Sequence, residues 1–301
     1  MKDLVLMSCI PDPPEFSEEQ IKACKESRDF RPMLFEWYRF AALLCNYFAR
    51  IHPYSPMLRK IPGIQYSVCV GLLNRCSRLM LSNLTLSQEG KFGETTAIID
   101  RSIFESCVIL TWLCHKNDTE SFERYLAEGL KTELEFKSAI EKEIEKRGGQ
   151  ALVIEDRMLA SIKRQIKFST LSESQIRDAK RLPDIASMIN TIGQPRLIYI
   201  GGQKIGSHHV HGTFSSLQLH YLEMTPEGFW TPSDNDCSTH KNQYTFVSIE
   251  VLDAMKSFIG FCVTDQEDRL PFIELIDSII KDIQNLKEEA DENDFDIISA
   301  I

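Results

Sequence analysis

A run of apolar residues long enough to cross a membrane is missing from this 301-residue chain. Its richest stretch is interrupted by Asp100, Arg101 and Glu105, whereas a spanning helix needs about 18 or more consecutive apolar residues. No membrane association is expected. The first residues, MKDLVLMSCIPDPPEF, hold only a short apolar run broken by prolines and no small-residue cleavage site, so no signal peptide is expected either. Cys-x-x-Cys pairs are also missing. The nine cysteines, at 9, 24, 45, 69, 76, 107, 114, 237 and 262, sit mostly among Leu, Val and Ile and read as buried free thiols of a reducing compartment. The expected location is cytoplasmic.

Positive charge is in deficit. The 34 Lys and Arg against 44 Asp and Glu leave a net charge of -10, which argues against broad, nonspecific binding to nucleic acid or anionic lipid, since both rely on a basic surface. The deficit is uneven: from Lys287 to Asp296 there are six acidic residues and one lysine. That segment is expected to be a solvated tail, and a local basic groove for RNA stays open elsewhere. Phosphate-cradling glycine loops of the Walker or dinucleotide type are absent. So is a Gly-x-Ser-x-Gly elbow. Neither a nucleotide cofactor nor a serine hydrolase triad is expected, and no cofactor or metal is assigned.

What the chain does have is helical punctuation. Apolar and charged fractions of 43% and 26% are ordinary for a globular protein, and the length suffices for a sizeable core. Ser17 with Gln20 reads as a capping box opening a short helix. A second helix is expected from Pro32 to Ile51, its aromatics from Phe35 to Phe48 serving either as core or as a homodimer face. Further helices are expected over about 64–84 and 93–115, then from Asp118 to the Gly148-Gly149 pair. Others run over 152–167, from the Ser172/Gln175 cap, after Pro183, across Ser207 to His211, and over about 244–262 and 270–288. The stretch MTPEGFWTPSDNDCSTH reads as a loop. The expected fold is all-α, an irregular bundle of about eight to ten helices with few or no strands. Its expected organisation is N-terminal helices packing on the core in 1–60, a central helical domain in 61–225, and a loop, closing helices and acidic tail in 226–301.

Two motifs carry chemistry. Arg101 and Glu105 lie four residues apart, as do Ser207 and His211, so each pair shares one helix face. An arginine among apolar residues is costly to bury unless a carboxylate or phosphate compensates it. Glu105 supplies a carboxylate one turn on, with Asp100 adjacent. The arginine is then either half of an intrahelical ion pair or the ligand of a bound anion. His208, His209, His211, His220 and Cys237-x-x-His240 bring imidazole and thiol together in the way zinc sites do, but their spacing matches no standard finger.

The helix reading IIDRSIFESCVILTWL, the tyrosine-bearing charged helix after it and YIGGQKIGSHHVHG together resemble the prokaryotic domain-of-unknown-function 5677 family. Its Arg-Ser-x-x-Glu and Ser-x-x-x-His-Gly patterns fall on Arg101, Ser102 and Glu105 and on Ser207, His211 and Gly212. The polar Arg/His pair is also similar to HEPN proteins, which include metal-independent ribonucleases of toxin and antiphage systems, often completed by two subunits. In those enzymes the arginine precedes the histidine closely on one helix. Here Arg196 is twelve residues before His208 and Arg101 is on another helix.

The resemblance implies a site in which His211 moves a proton at a ribose hydroxyl or leaving oxygen and Arg101 stabilises phosphate charge. Glu105 would orient Arg101, and Ser207 would hydrogen-bond the substrate or His211. The alternative is a noncatalytic helical module that binds a small anionic ligand or a partner protein. A homo-oligomer or a partner protein is expected, and no membrane.

Overall fold

Capping side chains start helices where local sequence predicts them. In the computed structural model the described residues are 10–88, 91–233 and 237–298, with 291–298 described as backbone only. Cys9, most of the N-terminal run and the side chains of the acidic tail beyond 290 lie outside them. α1 (Glu18–Ser27) opens with the Ser17/Gln20 box: Gln20 N donates to Ser17 Oγ at 3.2 Å, and Ser17 N donates to Gln20 Oε1 at 2.9 Å. α2 (Arg31–Phe48) carries Pro in its first turn, where the missing N–H costs nothing. α3 (Gly63–Ser87) and α4 (Gly93–Lys116) follow, and Asp118 caps α5 (Thr119–Lys146) by accepting from Ser121 N at 2.7 Å. Next come α6 (Val153–Ser169), α7 (Glu173–Asp178) under the Ser172/Gln175 box, and α8 (Ile185–Thr191).

One helical run then continues from α9 (Arg196–Tyr199) through a π-helical turn (Ile200–Ile205) into α10 (Gly206–His211), ending at Gly212 in the left-handed region with φ 55°. α11 (Phe214–His220) leads to a hairpin of β1 (Leu222–Met224) and β2 (Trp230–Pro232), antiparallel with Glu223 opposite Thr231. α12 (Lys241–Cys262) and α13 (Gln266–Ile298) close the chain.

The fold is the expected all-α irregular bundle, with somewhat more helices than eight to ten. Two local expectations change. The loop beginning at Met224 contains a short hairpin, because Thr225 and Gly228 close a turn across Thr225 N→Phe229 O at 2.8 Å. The last helix starts a turn earlier than Leu270, because Asp265 Oδ1 accepts from Glu267 N at 2.8 Å and caps it. It also continues through the acidic segment to Ile298, with Pro271 inside its early turns.

The chain divides into two units, the first drawing on all three segments expected from the sequence. That first unit, residues 1–60, 69–115 and 185–301, is built around α2, α4 and α12. α12 packs on both α2 and α13. Its largest fully buried side chains include Tyr38, Phe48, Met80, Phe104, Trp112 and Phe258. The aromatics of α2 are therefore core: Trp37, Tyr38, Phe40 and Phe48 are buried, and Tyr38 and Phe35 meet Tyr244 edge-on. All eight described cysteines are free thiols, seven of them buried, as expected. The second unit, 61–68 and 116–184, packs α5 on α6 and α7 around Ala127, Leu130, Leu134, Leu171 and Ile176. Lys131 Nζ donates to Ala179 O at 2.8 Å, and Lys137 pairs with Glu173 at 2.5 Å. No helix among the described residues is long and apolar enough to cross a membrane.

The start of α4 is held by contact with the segment that carries Cys237 and Ser238. Gly93 N donates to Cys237 O at 2.7 Å, and a β carbon on Gly93 would lie 2.4 Å from Ser238 O. Gly93→Ala is therefore expected to destabilise the protein by about 1–3 kcal/mol. Gly71→Ala, on a helical stretch with nothing within 4 Å of the added carbon, should gain up to about 1 kcal/mol. Urea denaturation of the two variants against the parent checks the opposite signs.

Candidate functional site

α4 positions Arg101 and Glu105 on one face, and they pair as their spacing predicts, Arg101 Nε donating to Glu105 Oε1 at 3.0 Å. The same Glu105 oxygen accepts from Gln203 Nε2 at 2.8 Å, across from the π-helical turn. Ser207 Oγ donates to Gln203 O at 2.6 Å, one turn back on its own helix. Arg101, Glu105, Gln203 and Ser207 thus form one hydrogen-bonded run. Asp100 does not help neutralise Arg101: its oxygens turn to Asn83 Nδ2 at 2.6 Å and Gln243 Nε2 at 2.9 Å.

Two glycines allow this contact. A β carbon on Gly202 would lie 2.6 Å from the Phe104 ring, and one on Gly206 would lie 2.9 Å from Arg101 Cβ. Gly202 faces Phe104, Gln203 meets Glu105 and Gly206 faces Arg101, so as one run ascends the other descends. This antiparallel register carries residues after Gly206 toward the start of α4, and His209 accordingly feels the charge of Glu94. Arg101 reaches the opposite way, toward Glu105. His211 ends α10 exposed, without a hydrogen-bond partner among the described residues.

Arg101 commits only Nε to Glu105. Its terminal guanidinium nitrogens have no partner among the described residues, although the side chain is just 18% exposed. Gln203 Oε1 is buried and unpartnered. A guanidinium with a free outer edge, held in orientation by a carboxylate, presents the planar fork that suits phosphate or carboxylate ligands.

A family model, a family of unknown function (DUF5677), matches residues 66–229, more than half of the chain. The chain belongs to the DUF5677 family. No curated protein and no solved structure matches it. The DUF5677 span contains Arg101, Glu105, Gln203, Ser207 and His211, together with His209 and His220, but ends before Cys237 and His240.

The remaining histidines separate into distinct roles. His208 Nδ1 pairs with Thr213 Oγ1 at 2.8 Å. His240 caps α12, its Nδ1 accepting from Asn242 N at 3.1 Å, and does not join Cys237. Cys237 Sγ instead lies 3.3 Å from His220 Nδ1, and the His220 ring is 5.0 Å from that of His209. Burial, then the charges of His220 and His208, hold the His209 imidazole below its usual pKa, with Glu94 opposing them. Among the described residues no group of three or more His, Cys, Asp or Glu side chains is arranged to hold a metal ion. Sequence spacing links Cys237 to His240, three residues on, and leaves its actual neighbour His220 as one of several candidate histidines; it misses Gln203 because its partner Glu105 comes from a distant segment. The Gly202-x-x-x-Gly206 spacing is the one local signal that Gln203 lies in a close helix contact.

Asp100 is the most perturbed acid beside the site. Burial pushes its carboxyl from 3.8 up to about 7, against hydrogen bonds from Gln243 and Asn83 that hold it down. Burial, with Asp253 nearby, takes Glu250 to about 7 as well. Both groups bind protons more tightly folded than unfolded, so each lowers stability as pH rises through this window, by roughly 1.4 kcal/mol per unit of pKa difference at most. Asp100→Asn removes one of the two contributions. The expected result is a shallower fall in stability between acid and neutral pH, read from urea midpoints across that range; an unchanged slope would mean that Asp100 does not titrate there.

Proposed function

We propose that the chain is a phosphate-recognising helical module in which Arg101 is the anion ligand. The supporting observation is that Glu105 occupies only Nε of Arg101, leaving the outer guanidinium edge unpartnered. Glu105 and Gln203 orient the arginine, and Ser207 holds the Gln203 turn. In this reading the net charge of -10 restricts binding to a local site on a small phosphate-bearing ligand or an RNA phosphate. A partner protein or second copy is a further expectation, supported by exposed Leu197, Ile205, Phe214, Leu219 and Phe229 around the motif. The free thiols agree with a cytoplasmic setting.

A second reading is a HEPN-like, metal-independent ribonuclease of the toxin or antiphage kind. It is favoured by one observation, an exposed imidazole at His211 on the helix face of Ser207. That imidazole would move protons while Arg101 steadies phosphate charge. The antiparallel register counts against it, because Arg101 turns away from the end of α10.

Pyrophosphate and fluorescent single-stranded and structured RNA, each incubated with the full chain in chelator, separate the two readings. Recognition predicts binding without cleavage, weakened about tenfold or more by Arg101→Lys at unchanged melting temperature, and indifferent to His211→Ala. Equal affinity in the Arg101→Lys variant, or no binding by the parent, overturns it. RNA cleavage that disappears in His211→Ala establishes the ribonuclease in its place.

A further inference from the structure

The first unit holds a second chemically competent cluster, which the Arg101 network does not use. Of the eight described cysteines, Cys237 is the one that is not buried. Its Sγ lies 3.3 Å from His220 Nδ1, a contact between residues seventeen apart in sequence. The segment that carries it is fixed by the backbone, since Cys237 O accepts from Gly93 N at 2.7 Å. The titratable groups facing the thiol are Glu94 from α4, His220 from α11 and Tyr221 just after it; His209 of α10 stands behind His220.

We propose that Cys237 and His220 form a nucleophile–base pair, and that Cys237 is the chain's site of thiol exchange with small disulfides. The 3.3 Å contact between Sγ and His220 Nδ1 is the route by which the thiol hands over its proton. As Sγ attacks one sulfur of the disulfide, Nδ1 takes the proton, a new S–S bond forms to Cys237 and the original S–S bond breaks. The leaving thiolate carries off the electron pair of the broken bond, and the imidazolium returns the proton to it. Oxidation of Cys237 is balanced by reduction of one half of the disulfide. The other seven described cysteines are buried, so no described thiol resolves the product and the mixed disulfide persists.

The electrostatics explain why a base is needed. Burial, then the Glu94 carboxylate, hold the Cys237 thiol above its ordinary pKa, while the backbone N–H of Glu94 works the other way. Near neutrality the sulfur keeps its proton, and reactivity depends on transferring it. Glu94 therefore opposes the reaction that His220 assists.

The opposed roles give a test with two signs. The native full chain is reacted with dithionitrobenzoate at neutral pH, released thiolate is followed in time, and adducts are mapped by mass spectrometry, which separates Cys237 from Cys9. Labelling is expected at Cys237 and absent from it in Cys237→Ser. It should slow by about tenfold or more in His220→Ala and His220→Asn, and quicken several-fold in Glu94→Gln. Thermal melts confirm that the variants compared are folded, and the Glu94→Gln arm stands if a His220 variant is not. Equal labelling rates at Cys237 in the parent and a folded His220 variant overturn the proposal. So does a Glu94→Gln rate that fails to rise, or adducts that map to other cysteines while Cys237 stays free.

Discussion

A carboxylate buried beside the start of α4 organises the first unit. Asp100 accepts from Asn83 of α3 and from Gln243 of α12. Each partner is itself engaged elsewhere: Asn83 reaches Tyr38 Oη on α2 at 3.1 Å, and Gln243 reaches Thr96 Oγ1 and Gly93 O. Four helices are therefore joined through one hydrogen-bonded cluster. Burying a charge without such partners is costly, so α4 has a narrow choice of depth and rotation. That choice aims Arg101, the next residue, at the opposite flank, where it pairs with Glu105.

The second constraint is a steric one. Gly202 and Gly206 remove side-chain bulk where the 196–211 run crosses α4, and Phe104 and Arg101 fill the space. The π-helical turn widens the backbone over the same residues and brings Gln203 within 2.8 Å of Glu105. Close approach and register come together: with Gly206 against Arg101, the residues after it pass toward Glu94. His209 and His220 consequently share surroundings with Cys237, whereas His211 stands free at the helix end. The Arg101–Glu105–Gln203 network and the cluster of His209, His220 and Cys237 thus lie along successive stretches of one helix contact.

Much of this was legible locally. The Ser17, Asp118 and Ser172 caps work within one turn, so a short stretch of sequence contains both partners. Arg101 and Glu105 pair for the same reason, four residues apart on one helix. The hairpin at Leu222–Pro232 was hidden because its strands are only three residues long, too short for alternation to show. The apolar aromatics of α2 looked equally suited to a core or to an interface, since composition reports affinity for an apolar environment and not who supplies it.

The helical class, the buried thiols, the intrahelical ion pair and the resemblance to the DUF5677 family were readable from the chain alone, because each depends on residues close along the chain or on bulk composition. That Asp100 turns away from Arg101, that Gln203 shares Glu105 with Arg101, and that Cys237 meets His220 instead of His240 followed from the packing of the helices. Those pairings join segments from 17 to 143 residues apart. They are set by how deeply helices approach, and the approach depends on the volume missing at two glycines and on the need to satisfy one buried carboxylate.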